Sequence, residues 1–355
     1  MSNAVALHYA ILDTLAFFAG KKVALSAAEL HQHLHRLPAE EEEVRALLKK
    51  NPAGIASDSE FFCLEKKFLP AGALPEELFE KRRRAAEILP RKWKILRERL
   101  EILRKLPFLR GIAASGSLAA GWPEEDSDLD LFLLVEPGKL WLARGFFVLE
   151  ARRRGWLRQE KKRETRDRLC PNHFLAAGAA LGPQNFFTAH LYGNFIWVAE
   201  GREEQPKKNP SLFEDSEFIE EEEARWRFLS KESADSFRFP EEGSEEPAPA
   251  FVNRPPTSNP QNPVPSWISS FLPNLPTERT PPFLPAEFSP PRWEKLLPPG
   301  AELIAKLAQR VLIYFSAPEG KRKNLHFSRE ELAFHGEPQE PYLLAEFEKI
   351  RKFSC

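Results

Sequence analysis

One short stretch of the chain combines residue types that suit phosphate and metal chemistry. Ser115-Gly116-Ser117 is followed, after ten residues, by Asp128-Leu129-Asp130-Leu131. A β-strand has a side-chain period of two, so Asp128 and Asp130 point to the same side. Two carboxylates held together repel unless a cation neutralises them. Mg²⁺ does this with one or two protein carboxylates plus nucleotide phosphates, and Mn²⁺ is the alternative. The next residues, Phe132-Leu133-Leu134, are strongly apolar. Charge against such a strand is costly unless a metal or a solvent-filled cleft receives it. Gly116 lets the backbone approach a phosphate closely, and N–H groups at a helix start attract anions. Ser117 adds a hydroxyl donor. The expectation is therefore one loop for a nucleotide, Gly116 and Ser117, and a neighbouring strand whose Asp128 and Asp130 are metal ligands and catalytic groups.

These groups need elements to position them. Residues 111–115 read as a short strand, and Leu129–Val135 as a strand buried on both faces, because its apolar run is continuous. A helix over 139–154, a strand over Leu169–Ala176 and an aromatic-rich helix over 185–198 follow. Strand, Gly-Ser turn, short helix and Asp-x-Asp at the head of an apolar strand form a far more specific pattern than two acids alone. The run Ala114-Ser115-Gly116-Ser117-Leu118-Ala119-Ala120-Gly121, continued by Ser127-Asp128-Leu129-Asp130-Leu131-Phe132, resembles the signature of the DNA polymerase β-like nucleotidyltransferase superfamily. It looks most like the minimal members of that group, over residues 85–175.

The resemblance implies that the two acids bind divalent metal, Mg²⁺ or Mn²⁺, and that the Gly-Ser loop contacts the phosphates of an NTP. It implies transfer of an NMP group to a hydroxyl on a protein, an RNA or a small molecule. The sequence departs from the pattern twice. Ala120 stands where many relatives have an arginine. The superfamily also uses a third carboxylate on a neighbouring strand, whereas Leu169-Cys170-Pro171-Asn172-His173-Phe174 carries none. Asn172 is one candidate for that place, and Asp167, just before the strand, is the nearest acid. The rival reading is a catalytically degenerate nucleotidyltransferase fold kept for binding or scaffolding.

The expected fold class is α+β: a small mixed-sheet nucleotidyltransferase core (71–200) flanked by an N-terminal winged-helix-like segment (1–70) and C-terminal helices. In the first segment, residues 5–18 read as a helix with Leu7, Ile11, Leu12 and Leu15 at helical spacing. Ser26 and Glu29 form a capping box that opens a second helix. A third helix follows Pro38, and residues 54–64 form a hairpin around Asp58-Ser59. Winged helices often bind DNA, but Glu40-Glu41-Glu42-Glu43 would face phosphates here. A protein-contact or structural role is the better expectation.

Residues 75–106 form a long basic helix or helix pair with Arg82-Arg83-Arg84 and Arg91-Lys92. This is either a solvated face or a positive rim for a polyanionic substrate. Residues 201–239 read as an acidic helical segment. Residues 240–299 read as a proline-rich linker: 17 of the chain's 32 prolines fall between Pro240 and Gly300, and each removes a backbone donor. Within it, Trp267, Ile268, Phe271 and Leu272 are expected to dock, on the chain's own core or on a protein partner. Helices over 300–315 and 341–353 close the chain.

The 355 residues suffice for two or three domains, and 42% hydrophobic with 29% charged residues allows a packed core. The net charge of −1 supplies no bulk basic field for nucleic acid and leaves only a local patch as a route to it. Cys63, Cys170 and Cys355 are far apart, so no zinc site of the usual spacing is expected and a reducing cytoplasm is. No signal peptide and no membrane span are expected; the longest candidate, 140–149, is interrupted by Arg144. His31, His33 and His35 are expected to be solvated or capping histidines, and His173 to be structural.

Overall fold

In the computed structural model, residues 3–158, 165–179, 186–200, 266–276, 286–287, 297–298, 300–316, 325–327 and 331–334 are described. The N-terminal segment runs α1 (Asn3–Gly20), β1 (Leu25–Ser26), α2 (Ala27–Gln32), α3 (Glu41–Leu48), β2 (Ile55–Ser57) and β3 (Phe61–Leu64). The capping box forms: Ser26 Oγ accepts from Glu29 N at 3.3 Å, and Glu29 Oε2 accepts from Ser26 N at 2.8 Å. The hairpin turns where Asp58 Oδ1 accepts from Glu60 N and Phe61 N, with Ser59 in the left-handed region at φ 80°. The three strands form an antiparallel sheet in the order β1-β3-β2.

The helix α4 (Pro75–Leu103) then leads into β4 (Leu109–Ala114), α5 (Gly116–Ala120), β5 (Leu129–Val135), α6 (Leu140–Arg153) and β6 (Leu169–Ala176). After these come α7 (Phe186–Gly193), β7 (Ile196–Glu200), α8 (Ser266–Phe271), β8 (Ala286–Glu287), α9 (Ala301–Ser316), β9 (Leu325–Phe327) and β10 (Glu331–Phe334). The fold is α+β, with a mixed seven-stranded sheet ordered β8-β7-β4-β5-β6-β10-β9. The pairs β5/β6 and β7/β8 are parallel, and the others are antiparallel.

Period-two alternation divides the central strands between two apolar layers. Ile112, Ala114, Leu131, Leu133 and Phe174 join Leu96 and Leu100 of α4 and Trp141 and Phe147 of α6. Ala113, Phe132 and Leu175 face the opposite layer, with Leu15 and Phe18 of α1 and Tyr192 of α7. The N-terminal segment and the sheet thus share one core. The continuous apolar run of β5 follows from this, since both of its faces are covered.

Two expectations need correction or completion. Residues 185–198 are not one helix. The helix α7 ends at Gly193, where Asn194 Nδ2 donates to the His190 carbonyl at 2.6 Å. Ile196, Trp197 and Ala199 then pair with β4. The aromatic composition suits either state, and pairing to an open sheet edge decides it. The proline-rich stretch contains α8, whose Ile268 and Phe271, with Leu272 beyond its end, are buried in the core shared with the N-terminal segment. The docking is therefore on the chain itself, and Asn274 pins it by accepting from Ala39 N and donating to the Leu37 carbonyl. The expected acidic segment 201–239 and the helix over 341–353 lie outside the described residues. No described helix is long and apolar enough to cross a membrane.

Candidate active site

Asp128 immediately precedes β5, and Asp130 is its second residue. Carboxylate oxygens of the two and the Cys170 Sγ lie within 4.8 Å of one another. The parallel register sets Cys170 opposite Asp130. A register shift between Leu131 and Phe132 then inserts Asn172 as an extra residue of β6. Asn172 Nδ2 donates to Asp130 Oδ1 at 2.5 Å, and the Cys170 thiol donates to Asn172 Oδ1 at 2.8 Å. On the other side, Arg158 Nη1 donates to Asp128 Oδ2 at 2.5 Å.

The Gly-Ser loop meets the same point. Gly116 sits in the left-handed region at φ 61° against the Asp130 carboxylate, where any Cβ would collide with Oδ2. Ser115 N donates to the Asp130 carbonyl at 3.0 Å, tying loop to strand. Ser117 stands in the first turn of α5, its carbonyl accepting from Gly121 N and Trp122 N. Gly116, Asp128 and Asp130 are thus brought into one place, with Ser117 next in the chain.

The basic helix α4 has a role that neither reading of its charge anticipated. Its inward cations clamp the loops that lead into the acids. Lys92, fully buried, donates from Nζ to the Ser127 carbonyl at 2.6 Å and to Asp167 Oδ1 at 3.0 Å. Arg91 Nη1 donates to Asp167 Oδ2 at 2.6 Å, and Arg99 to the Asp167 carbonyl. Arg82 donates to the Gly121 carbonyl at 2.9 Å and to Glu29 Oε1 at 2.6 Å. Arg84 is exposed, and Arg83 half-exposed beside Asp58.

This settles which candidate stands beside the acid pair. Both oxygens of Asp167 are taken by α4 cations. Burial pushes Asp167 up, but the hydrogen bonds from Lys92 and Arg91 outweigh it and hold the carboxyl below its usual range. Asn172 occupies the place next to Asp130, and an amide cannot take up a proton as a carboxylate does. His173 pairs with Glu331 on β10 at 2.7 Å, and His31 bonds the Ala39 carbonyl at 2.8 Å. Cys170, Arg158 and Lys92 are the residues that the sequence did not single out for the site. Cys170 and Asn172 share a side by period two, which was the available signal. Arg158 carried none.

The electrostatics show a group short of positive charge. Burial first, then the Asp128 charge, push Asp130 up to about 7. Burial and the two acids push the Cys170 thiol well above its ordinary value. Two carboxylates and one guanidinium leave the cluster net negative when both acids are ionised. Asp128 and Asp130 offer two hard oxygen donors, and Cys170 a thiol, close enough together to meet at one cation.

No protein-family model, no curated protein and no solved structure matches the chain.

Proposed function

We propose that this chain is a metal-dependent nucleotidyltransferase that moves an NMP group from an NTP to a hydroxyl acceptor. The observation that supports this reading is the paired carboxylates of Asp128 and Asp130 pressed against the left-handed Gly116 turn, with Asp130 pushed up to about 7 by burial and by the Asp128 charge. In the reaction the acceptor oxygen attacks the α-phosphorus, forming a new O–P bond. The bond from that phosphorus to the β-bridging oxygen breaks, and pyrophosphate leaves with the electron pair. The acceptor proton passes to water, because Asn172 cannot take it. Bound Mg²⁺ or Mn²⁺ would supply Lewis-acid neutralisation of the triphosphate. Asp128 and Asp130 would hold that ion, Gly116 leaves room for the Asp130 carboxylate, and the Ser117 hydroxyl would donate to phosphate oxygen. The α4 cations fix the loops so that the carboxylates do not drift apart.

Around this core, the order helix, strand, two helices, hairpin supports a winged-helix-like reading of the N-terminal segment. Its role there is protein contact, since Glu40, Glu41, Glu42 and Glu43 oppose phosphates. The acceptor is a protein, an RNA or a small molecule, and any protein-docking part of the proline-rich stretch lies outside α8, which is docked on the chain's own core. The free thiols of Cys63 and Cys170 suit a reducing cytoplasm.

The degenerate alternative draws on one observation: the β6 side chain bonded to Asp130 is the amide of Asn172, not a carboxylate that could take the acceptor proton. Incubation of whole lysate with the protein and each α-labelled NTP separates the two. Label transferred by wild type and lost in Asp128→Asn with Asp130→Asn supports the enzyme. Retained Mn²⁺–NTP binding with no transfer in any lysate supports the binding module.

A further inference from the structure

Arg158 is held by its backbone, its N–H donating to the Leu169 carbonyl at 2.9 Å beside the Leu157–Leu169 bridge. Its side chain is 43% exposed, against 12% for Asp128. The guanidinium therefore lies at the mouth of the acid pair, with the carboxylates behind it. Among the described residues, the neighbouring cations are committed elsewhere. Lys92 and Arg91 are on Asp167, Arg166 is paired with Glu125, Arg99 is on the Asp167 carbonyl and Arg168 on the Gly155 carbonyl. Arg158 is the cation that faces the proposed metal ligands, and Asp128 Oδ2 is the oxygen it holds.

A dication shared by Asp128 and Asp130 would draw on the same carboxylate and repel the guanidinium. The remaining contact of Arg158, Cys170 Sγ at 3.8 Å, is too weak to hold it. A planar fork of N–H donors at the mouth, released beside a metal-bound polyphosphate, matches phosphate oxygens bidentately. We infer that Arg158 is the triphosphate-binding residue of this site: it neutralises Asp128 while no metal is bound, and turns to the β- and γ-phosphate oxygens once a divalent cation takes the acid pair. This rests on the nucleotidyltransferase reading above. It adds a specific order, in which phosphate affinity through Arg158 is available only after metal binds.

The test uses the full chain, with Mn²⁺ followed by electron paramagnetic resonance and inorganic tripolyphosphate by calorimetry. In wild type, Mn²⁺ binds alone, and tripolyphosphate binds tightly only with Mn²⁺ present. Arg158→Gln should bind Mn²⁺ as tightly or more tightly, because a competing cation is gone. Its Mn²⁺-dependent tripolyphosphate affinity should fall about tenfold, the loss typical of a charge-assisted pair. Arg158→Lys keeps the ion pair and loses the fork, so its tripolyphosphate affinity should fall several-fold with the fold intact. Weakened Mn²⁺ binding in Arg158→Gln, or tripolyphosphate affinity equal to wild type in either variant, overturns the role of Arg158. Wild type that binds no Mn²⁺ sinks the metal reading itself, and the inference with it.

Discussion

Gly116 and Asp130 touch: a methyl group on the glycine would lie 3.0 Å from the Asp130 Cγ and 3.1 Å from its Cβ, closer still to Oδ2. Gly116 also holds φ 61°, a region that costs a side-chain-bearing residue ~1–2 kcal/mol. Gly116→Ala should therefore lower stability and displace the carboxylate, with Mn²⁺ affinity falling at least about tenfold. Gly121 is the control. It has φ 89° and nothing within 4 Å, so Gly121→Ala should lose stability alone. Thermal melts and Mn²⁺ titration of the two variants check this, and equal Mn²⁺ affinities would contradict the contact's importance.

Asp130 should oppose folding at neutral pH. Its carboxyl titrates at about 7 in the folded chain against 3.8 when free. The folded state thus binds more protons between those values, and stability from this group falls as pH rises through them. Asp130→Asn should raise the melting temperature at pH ~8 by about 2 °C or more, with the gain shrinking toward pH ~4. Pairing it with Asp128→Asn should abolish Mn²⁺ binding without unfolding the chain. A double variant that melts well below wild type at pH ~8 would show that the acids stabilise the fold.

Lys92 is a fully buried cation. Lys92→Met strands the carbonyl of Ser127 and one oxygen of Asp167, and breaking a buried pair in this way costs about 3–5 kcal/mol. Asp167→Asn added to Lys92→Met should cost less than the sum of the two single changes, since both belong to one network. Urea unfolding of the four proteins of this cycle measures the coupling; strict additivity would mean that the two do not act together.

His190 lies stacked on Phe17, with ring centroids 4.4 Å apart, and 5.1 Å from the His33 ring. Burial first, then the nearby His33, Lys21 and His35 charges, hold it well below its ordinary 6.5. Unfolded, it takes a proton near 6.5; folded, it resists. Its share of stability is therefore complete above that value and is lost as pH falls below it. His190→Phe keeps the stacked ring and removes the titration. The drop in melting temperature between pH ~7.5 and pH ~5.5 should be smaller in the variant than in wild type.

Local signals were the legible ones. The Ser26–Glu29 box, the Asp58-Ser59 hairpin, α4 and the Asp128–Asp130 spacing all depend on contacts a few residues apart, and each formed as read. Contacts made at a distance were not legible. Arg158 reaches Asp128 across 30 residues, and Lys92 reaches Asp167 across 75. Neither spacing carries a period. The extra residue at Asn172 is a register event between two strands, visible only once they pair. The short strands β8, β9 and β10 owe their state to the sheet edge they join. The α4 cations looked like surface charge because sequence shows their number and not the carbonyls they meet.

The return of the chain at α8 has a covalent consequence. Strands β7, β4, β5 and β6 build the sheet's centre and the N-terminal segment packs against it, yet α8 buries Ile268 and Leu272 against that segment and β10 pairs along the open side of β6. The two parts are held by packed side chains and ladder bonds, whatever joins them between 201 and 265. Backbone continuity across that interval is thus dispensable to their association. Expressed as separate polypeptides split there, they should find one another and reconstitute the acid pair, which makes the molecule a natural split reporter.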